Sequence, residues 1–333
     1  MTVDQQSRSM TGTQGPGPAE VNTPSAGPPT GRASMPKKPR NRHFTHTNQA
    51  YVFLTPWLIG LIALILAPLL WSLYLSFTDY NLLSSPQWVG LDNYKNLFGN
   101  DTRYLHSMGL TLGYVVVAVP LQLISALAAA MLLAPKRRGV GAYRALFYLP
   151  ALLGASVGVA ITWRALFDFG GGVNNFLATF GISEKSWVND PGSVLGVIIL
   201  LEIWRFGAPM VIFIAGLQQI PRNLYEAAEV DGASWFGRFR HVTLPMLSPI
   251  IFFNLVLGVI QAFQTFTPAQ VVGDGRGGPA DATLFYAVNL YQQAFEYQRM
   301  GYASAIAWVM LIALGAIAAV MFASSKKWVT HER

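Results

Sequence analysis

The chain contains no cysteine, which excludes disulfides, thiolate metal sites and a cysteine nucleophile. Charge is scarce too. Asp, Glu, Lys and Arg make up 12% of the 333 residues against 52% hydrophobic, so one ordinary soluble core is not where the apolar surface goes. Five histidines are scattered without ligand spacing, and neither a Gly-x-x-x-x-Gly-Lys-Ser/Thr nor a His-Glu-x-x-His occurs. Nothing argues for an enzyme, and no metal ligand set is expected. "GDGRGG" at 273–278 lacks the phosphate-binding lysine, so any nucleotide must be bound by another chain. The net charge of +7 is read as a record of topology rather than as a nucleic-acid surface.

What the chain does have is apolar runs of about 20 residues or more, the length that crosses a bilayer. Six spans are expected, over 51–77, 108–133, 145–167, 193–217, 249–272 and 301–323, giving an all-α integral membrane fold. The first run is too long for a secretory h-region, so it is expected to be retained. Residues 1–47 are rich in Pro, Gly, Ser, Thr and Gln and end in "PKKPRNRH", which reads as a basic, disordered tail. The membrane-spanning body is expected over 48–328 and a short tail over 329–333.

Charge sets the orientation. Lys37, Lys38, Arg40 and Arg42 precede the first span, and Lys136, Arg137, Arg138 and Arg144 fill the second connection. Arg222, Arg238 and Arg240 fill the fourth, and Lys326, Lys327 and Arg333 follow the sixth. By the positive-inside rule both termini and these connections are cytoplasmic. Trp57, Trp71, Trp163, Trp187, Trp308 and Trp328 fall near span ends and read as interfacial anchors.

The connection at 218–248 is unusually structured. Pro221 suits a first helical turn, good helix formers run to Asp231-Gly232, and "ASWFGRF" starts a second helix on the membrane surface, with Pro245 near the head of the fifth span. Ala227 and Ala228 give a small face flanked by Glu226 and Asp231, suited to a groove in a partner; resting on lipid headgroups is the other use of such a helix.

Glu226-Ala227-Ala228, three residues and then Gly232, followed by Val242-x-Leu244-Pro245, resembles the EAA motif of permease subunits of binding-protein-dependent ABC importers, with Val242 where isoleucine is commoner. "YRALFYLPALL", "IWRFGAPMVIFIAGLQQIP" and "GRGGPADATLFYAVNLYQQAF" resemble the carbohydrate branch that includes maltose and glycerol-phosphate permeases, over about 51–328. The resemblance implies six spans and a coupling helix between the fourth and fifth, carried by Glu226, Ala227, Ala228, Asp231, Gly232, Leu244 and Pro245. It also implies partners: a homologous second permease, ATPase subunits that hold ATP and Mg, and an extracytoplasmic solute-binding protein.

A passage through the membrane needs polar groups that would be costly facing lipid. Asn254, Gly258, Gln261 and Thr265 follow helical spacing, with Gln264 and Thr267 beside them and Phe263 and Phe266 interleaved. Amides beside aromatic rings suit a hydroxyl-rich, uncharged ligand; polar side chains also hold membrane helices together. Aligned on Gly277-Gly278-Pro279, the maltose permease's sugar contacts fall on Ile260, Phe263, Gln264 and Thr267. In the fourth span Glu202 and Arg205, three apart, are expected to pair. A sharper alternative has Trp204 stacking on a sugar ring and Arg205 binding an anionic group, which would suit a phosphorylated glycerol-type substrate. Arg164 and Asp168 are expected to form an interfacial pair. Two rival classes remain: gradient-driven transporters favour embedded carboxylates and inverted repeats, and neither stands out here, while a non-transporting membrane receptor or scaffold would need neither the 218–248 motif nor the polar face of the fifth span.

Overall fold

In a computed structural model that describes residues 46–135, 138–154 and 156–326, with side chains from 53 onward, the chain is built almost wholly of helices. It divides into two units at Pro56, and all packing described below lies within Trp57–Arg333. The expected N-terminal tail up to 45, Lys136, Arg137, Trp328 and the closing tail lie outside the described residues.

Among the described residues four helices are long and apolar enough to cross a membrane: Phe53–Ser76, Thr102–Leu133, Trp235–Val272 and Met300–Ser325. Two bent pairs join them if each counts as one span, Val140–Leu153 with Val157–Ala178 and Val194–Trp204 with Gly207–Gln219, the second bent by 41°. The expected third and fourth spans are therefore broken helices. Ser156 opens the second piece of the first pair by accepting a hydrogen bond from the Val159 N–H at 3.3 Å. Gly207 follows the break at Arg205–Phe206, and a Cβ there would lie 2.5 Å from the Phe147 carbonyl oxygen. Glycine is what lets these helices approach so closely.

The Thr102–Leu133 helix is the centre of the packing. Its buried residues, among them Tyr104, Ser107, Thr111, Tyr114, Ala118, Gln122, Ala126 and Ala130, recur every three or four positions. That stripe packs against Val194–Trp204, Gly207–Gln219 and Leu244–Phe263. Asp101 caps its start, accepting from the Tyr104 N–H at 2.8 Å and from the Tyr302 hydroxyl at 2.7 Å. Arg144 closes its end by donating to the Leu133 carbonyl from Nε at 3.1 Å and Nη2 at 2.7 Å. Many large apolar side chains, such as Phe53, Leu64, Val116 and Val320, stay exposed, as a chain solvated by lipid requires.

One expected ion pair is replaced by another. Arg164 does not pair with Asp168: its Nη1 lies 2.6 Å from Asp274 Oδ1 and 3.1 Å from the Val271 carbonyl. Asp168 has left the helix in extended conformation (φ −87°, ψ 177°), so its carboxylate accepts from Ser186 Oγ at 2.6 Å and the Phe169 N–H instead. Trp163 is half-buried; its Nε1 donates to the Val197 carbonyl at 3.0 Å and its ring lies 5.5 Å from that of Trp204.

Candidate functional site

The 218–248 connection folds as a short helix, Arg222–Val230, ending in a left-handed turn. Gly232 has φ +76°; its N–H donates to the Glu229 carbonyl at 3.0 Å and the Ala233 N–H reaches back to Ala228 at 2.8 Å. This Schellman geometry satisfies the last carbonyls of the helix and needs a residue that tolerates positive φ. Ser234 starts the next helix, its Oγ accepting from the Gly237 N–H at 3.2 Å.

The second helix does not lie apart on a surface as expected. Trp235–Arg238 passes through a π turn, Phe239–Thr243, straight into Leu244–Phe263, so it forms the first turns of the long helix. Nothing between 235 and 244 breaks a helix, and the wide turn just ahead of Pro245, with the Leu244 N–H bonded to the Phe239 carbonyl, absorbs the proline's missing donor. The short helix is tied back by the Tyr225 and Thr243 hydroxyls at 3.0 Å and by Arg238 Nη1 and Glu229 Oε2 at 3.1 Å.

Glu226, Ala227, Asp231 and Gly232 are exposed on this helix and its turn, and Ala228 is half-buried. Leu244 and Pro245 are half-buried at the head of the long helix, within reach of the same unit through Thr243. Val230 is 88% exposed, Trp235 64% and Phe236 60%. An amphipathic helix with bare apolar residues beside it, tethered to the head of a long helix, has a form that suits a groove in a partner.

The second site lies inside the bundle. Glu202, at the end of Val194–Trp204, is buried; its Oε2 accepts from Arg205 Nη1 at 3.0 Å and its Oε1 from Gln122 Nε2 at 2.8 Å. The expected pair is thus present, with Gln122 as a third member. Gln122 escaped the sequence reading although its signal was there, a lone amide in an otherwise apolar stretch. Tyr114, its hydroxyl buried, lies beside Glu202 and Thr265.

Two cavities meet at this cluster. One of 360 Å³ is lined by Glu202, Arg205, Gln261, Gln264, Thr265, Phe266, Thr267 and Pro268. The other, 270 Å³, is lined among others by Gln122, Glu202, Arg205, Ile212, Asn254, Gly258 and Gln261. The long helix breaks where the first cavity opens: Leu244–Phe263 ends, Phe266 has φ −122° and ψ −64°, and a new helix begins at Thr267-Pro268. Proline cannot supply the N–H that would carry the helix through. Arg205, at the other break, lines the same cavity, and non-helical backbone at membrane depth is tolerated where it lines a cavity.

Of the residues proposed from sequence for the passage, Arg205, Gln261, Gln264 and Thr267 line these cavities. Phe263 is 4% exposed and belongs to the packed core, Ile260 is half-buried and in neither lining, and the Trp204 ring lies tilted against that of Trp163. Among the described lining residues the only charges are Glu202 and Arg205, which neutralise one another. In the 360 Å³ cavity what remains is amide, hydroxyl, Pro268 and the Phe266 ring, a surface that hydrogen-bonds hydroxyls and packs against an apolar ring face, whereas the 270 Å³ cavity adds aliphatic walls such as Leu123, Ile212 and Leu257.

Residues 103–330 match the family model described as "Binding-protein-dependent transport system inner membrane component". The chain is 48% identical over 283 residues, 85% of this chain and 92% of the relative, to the "Probable ABC transporter permease protein YesP" of Bacillus subtilis (strain 168). It is 31% identical over 283 residues, 83% of this chain and 94% of the relative, to the "Lactose transport system permease protein LacF" of Rhizobium radiobacter. Among solved structures, a chain of a bacterial ABC transporter involved in import of the acidic polysaccharide alginate superposes with a TM-score of 0.75 at 18% identity, covering 86% of this chain and 97% of that one.

Proposed function

The chain belongs to the inner membrane components of binding-protein-dependent transport systems, and from that premise we propose that it is the permease subunit that passes a sugar or oligosaccharide through an ATP-driven importer. As such it is a transport subunit and not an enzyme. The observation that carries the substrate class is the 360 Å³ cavity, whose amides, hydroxyls and single ring lie between two broken helices. A lactose permease subunit among the relatives supports the same class.

In this reading the two bent pairs are single spans, which makes six, and the basic connections lie in the cytosol. The helix Arg222–Val230 then docks in a groove of an ATPase subunit, with Glu226, Ala227, Ala228, Asp231 and Gly232 at the contact and Leu244 and Pro245 fixing the helix that receives the push. That ATPase binds ATP and Mg. A homologous second permease completes the passage, and a solute-binding protein delivers the ligand from outside. Closure of the ATPase tilts the long helix through the short one, and the two helix breaks let the cavity walls rearrange toward the other face.

A phosphorylated glycerol-type substrate is not favoured, because the charge of Arg205 is already matched by Glu202 at 3.0 Å. Uptake tests the proposal. Cells lacking the chain, and the same cells with it restored, receive radiolabelled saccharides and glycerol phosphate. Restored accumulation of a saccharide supports the reading, and restored accumulation of glycerol phosphate alone overturns it.

A further inference from the structure

The two cavities differ in most of their linings and share Glu202, Arg205 and Gln261. Their order along the chain is informative. From the shared residues, the 360 Å³ cavity continues toward Gln264–Pro268 and the 270 Å³ cavity back along the same helix toward Asn254 and on along Gly207–Gln219 toward Ile212. The cavities thus succeed one another along the helix direction, and the ion pair lies with Gln261 where they adjoin, lining both. Resting on the transport reading, we propose that Arg205, anchored by Glu202, is the partition between two chambers of one passage, and that displacing its side chain joins them.

The surroundings of Arg205 suit a part that moves. It sits at the break between Val194–Trp204 and Gly207–Gln219 and lines the same cavity as the break at Gln264–Phe266. A third break, after Leu153, brings Gly154 against its stem: a Cβ there would lie 2.5 Å from both Cγ and Cδ of Arg205. Three helix interruptions therefore converge on one side chain. Its anchorage is also incomplete. Nη1 is bonded to Glu202, while Nε is buried without a partner, so the guanidinium is held by one charge-assisted bond instead of the two-pronged fork that a carboxylate accepts from arginine. A hydroxyl-rich ligand in the first chamber offers acceptors that compensate the guanidinium as it leaves the wall, which couples passage to the presence of cargo.

The absence of cysteine makes the test clean, since any introduced thiol is the only one in this chain. Thr267→Cys reports on the first chamber and Ile212→Cys on the second, in the fully assembled importer in membrane vesicles. A membrane-impermeant methanethiosulfonate is applied to each face in turn. With Arg205 in place, each face reaches one thiol and not the other. In Arg205→Ala, the face that reaches one thiol reaches both, the second at a rate raised about tenfold or more, the effect of lowering a barrier by about 1.4 kcal/mol. Glu202→Gln, which removes the anchor and keeps the arginine, is read the same way if Arg205→Ala does not assemble. One face reaching both thiols with Arg205 present, no rise in either variant, or no labelling from either face overturns the partition. Saccharide uptake by the parent importer is measured separately: its absence defeats the transport reading, whereas uptake with unchanged labelling defeats the partition alone.

Discussion

Arg205 Nη1 lies 3.0 Å from Glu202 Oε2, one helical turn away, and Gln122 donates to the other carboxylate oxygen at 2.8 Å from a different helix. The three side chains hold two helices together at the depth where the Val194–Trp204 helix ends. Removing one partner of a buried pair leaves an uncompensated charge and costs about 3–5 kcal/mol, whereas replacing both by apolar groups costs much less. Glu202→Ala is expected to lower the thermal midpoint of the assembled complex in detergent sharply, and Glu202→Met with Arg205→Met to recover most of the loss. Equal losses in the single and double variants would show that the pair is not coupled.

Gly232 has nothing within 4 Å of where a Cβ would stand, so its constraint is backbone conformation alone, φ +76°. A non-glycine residue pays about 1–2 kcal/mol to hold the left-handed region, and Asn less than Ala. Coupled ATPase activity is expected to fall in the order Gly, Asn, Ala, Val at this position, with protein levels unchanged. Full activity with Val would show that the Schellman turn does not matter to coupling.

Gly207 is a different case, because a Cβ there would run into the backbone at Phe147 and Tyr148. Overpacking of this kind costs about 1–3 kcal/mol. Gly207→Ala is expected to lower the thermal midpoint more than Gly315→Ala, since Gly315 faces open space.

The Arg164 guanidinium, 2.6 Å from Asp274, holds that carboxyl below the usual carboxylate range. A depressed folded value means that the contribution is present above the unfolded value of about 3.9 and is lost only as pH falls through the lower folded one. Protection factors for hydrogen exchange in 273–283 are therefore expected to stay level between about pH 5 and about pH 7. Asp274→Asn lowers them across that range, modestly, because Asp274 is 78% exposed and such pairs contribute less than about 1 kcal/mol.

Much of this was legible in the sequence where a local rule decides. The Gly232 turn followed from the one residue type that stops a helix in left-handed conformation, and the Glu202–Arg205 pair from helical spacing. The polar face of Asn254, Gly258 and Gln261 followed from the same periodicity, though Thr265 falls past the break and lines only the first cavity. What escaped was non-local. Arg164 turned to Asp274, 110 residues on, because Asp168 had already left the helix, and no spacing rule foresees that. The breaks at Gly154 and Arg205–Phe206 lie inside apolar runs long enough to read as unbroken spans. Gln122 gains its meaning only from Glu202 on another helix.

The central claim is that this chain couples an ATPase to saccharide passage, and reconstitution tests it most directly. Proteoliposomes holding the chain with its co-purified permease and ATPase subunits, and binding protein in the outer compartment, are given a labelled saccharide with and without ATP on the ATPase side. The account predicts accumulation that needs both ATP and the binding protein and that is abolished by Gly232→Pro. Accumulation that follows an imposed ion gradient without ATP, or that persists unchanged in Gly232→Pro, would contradict it.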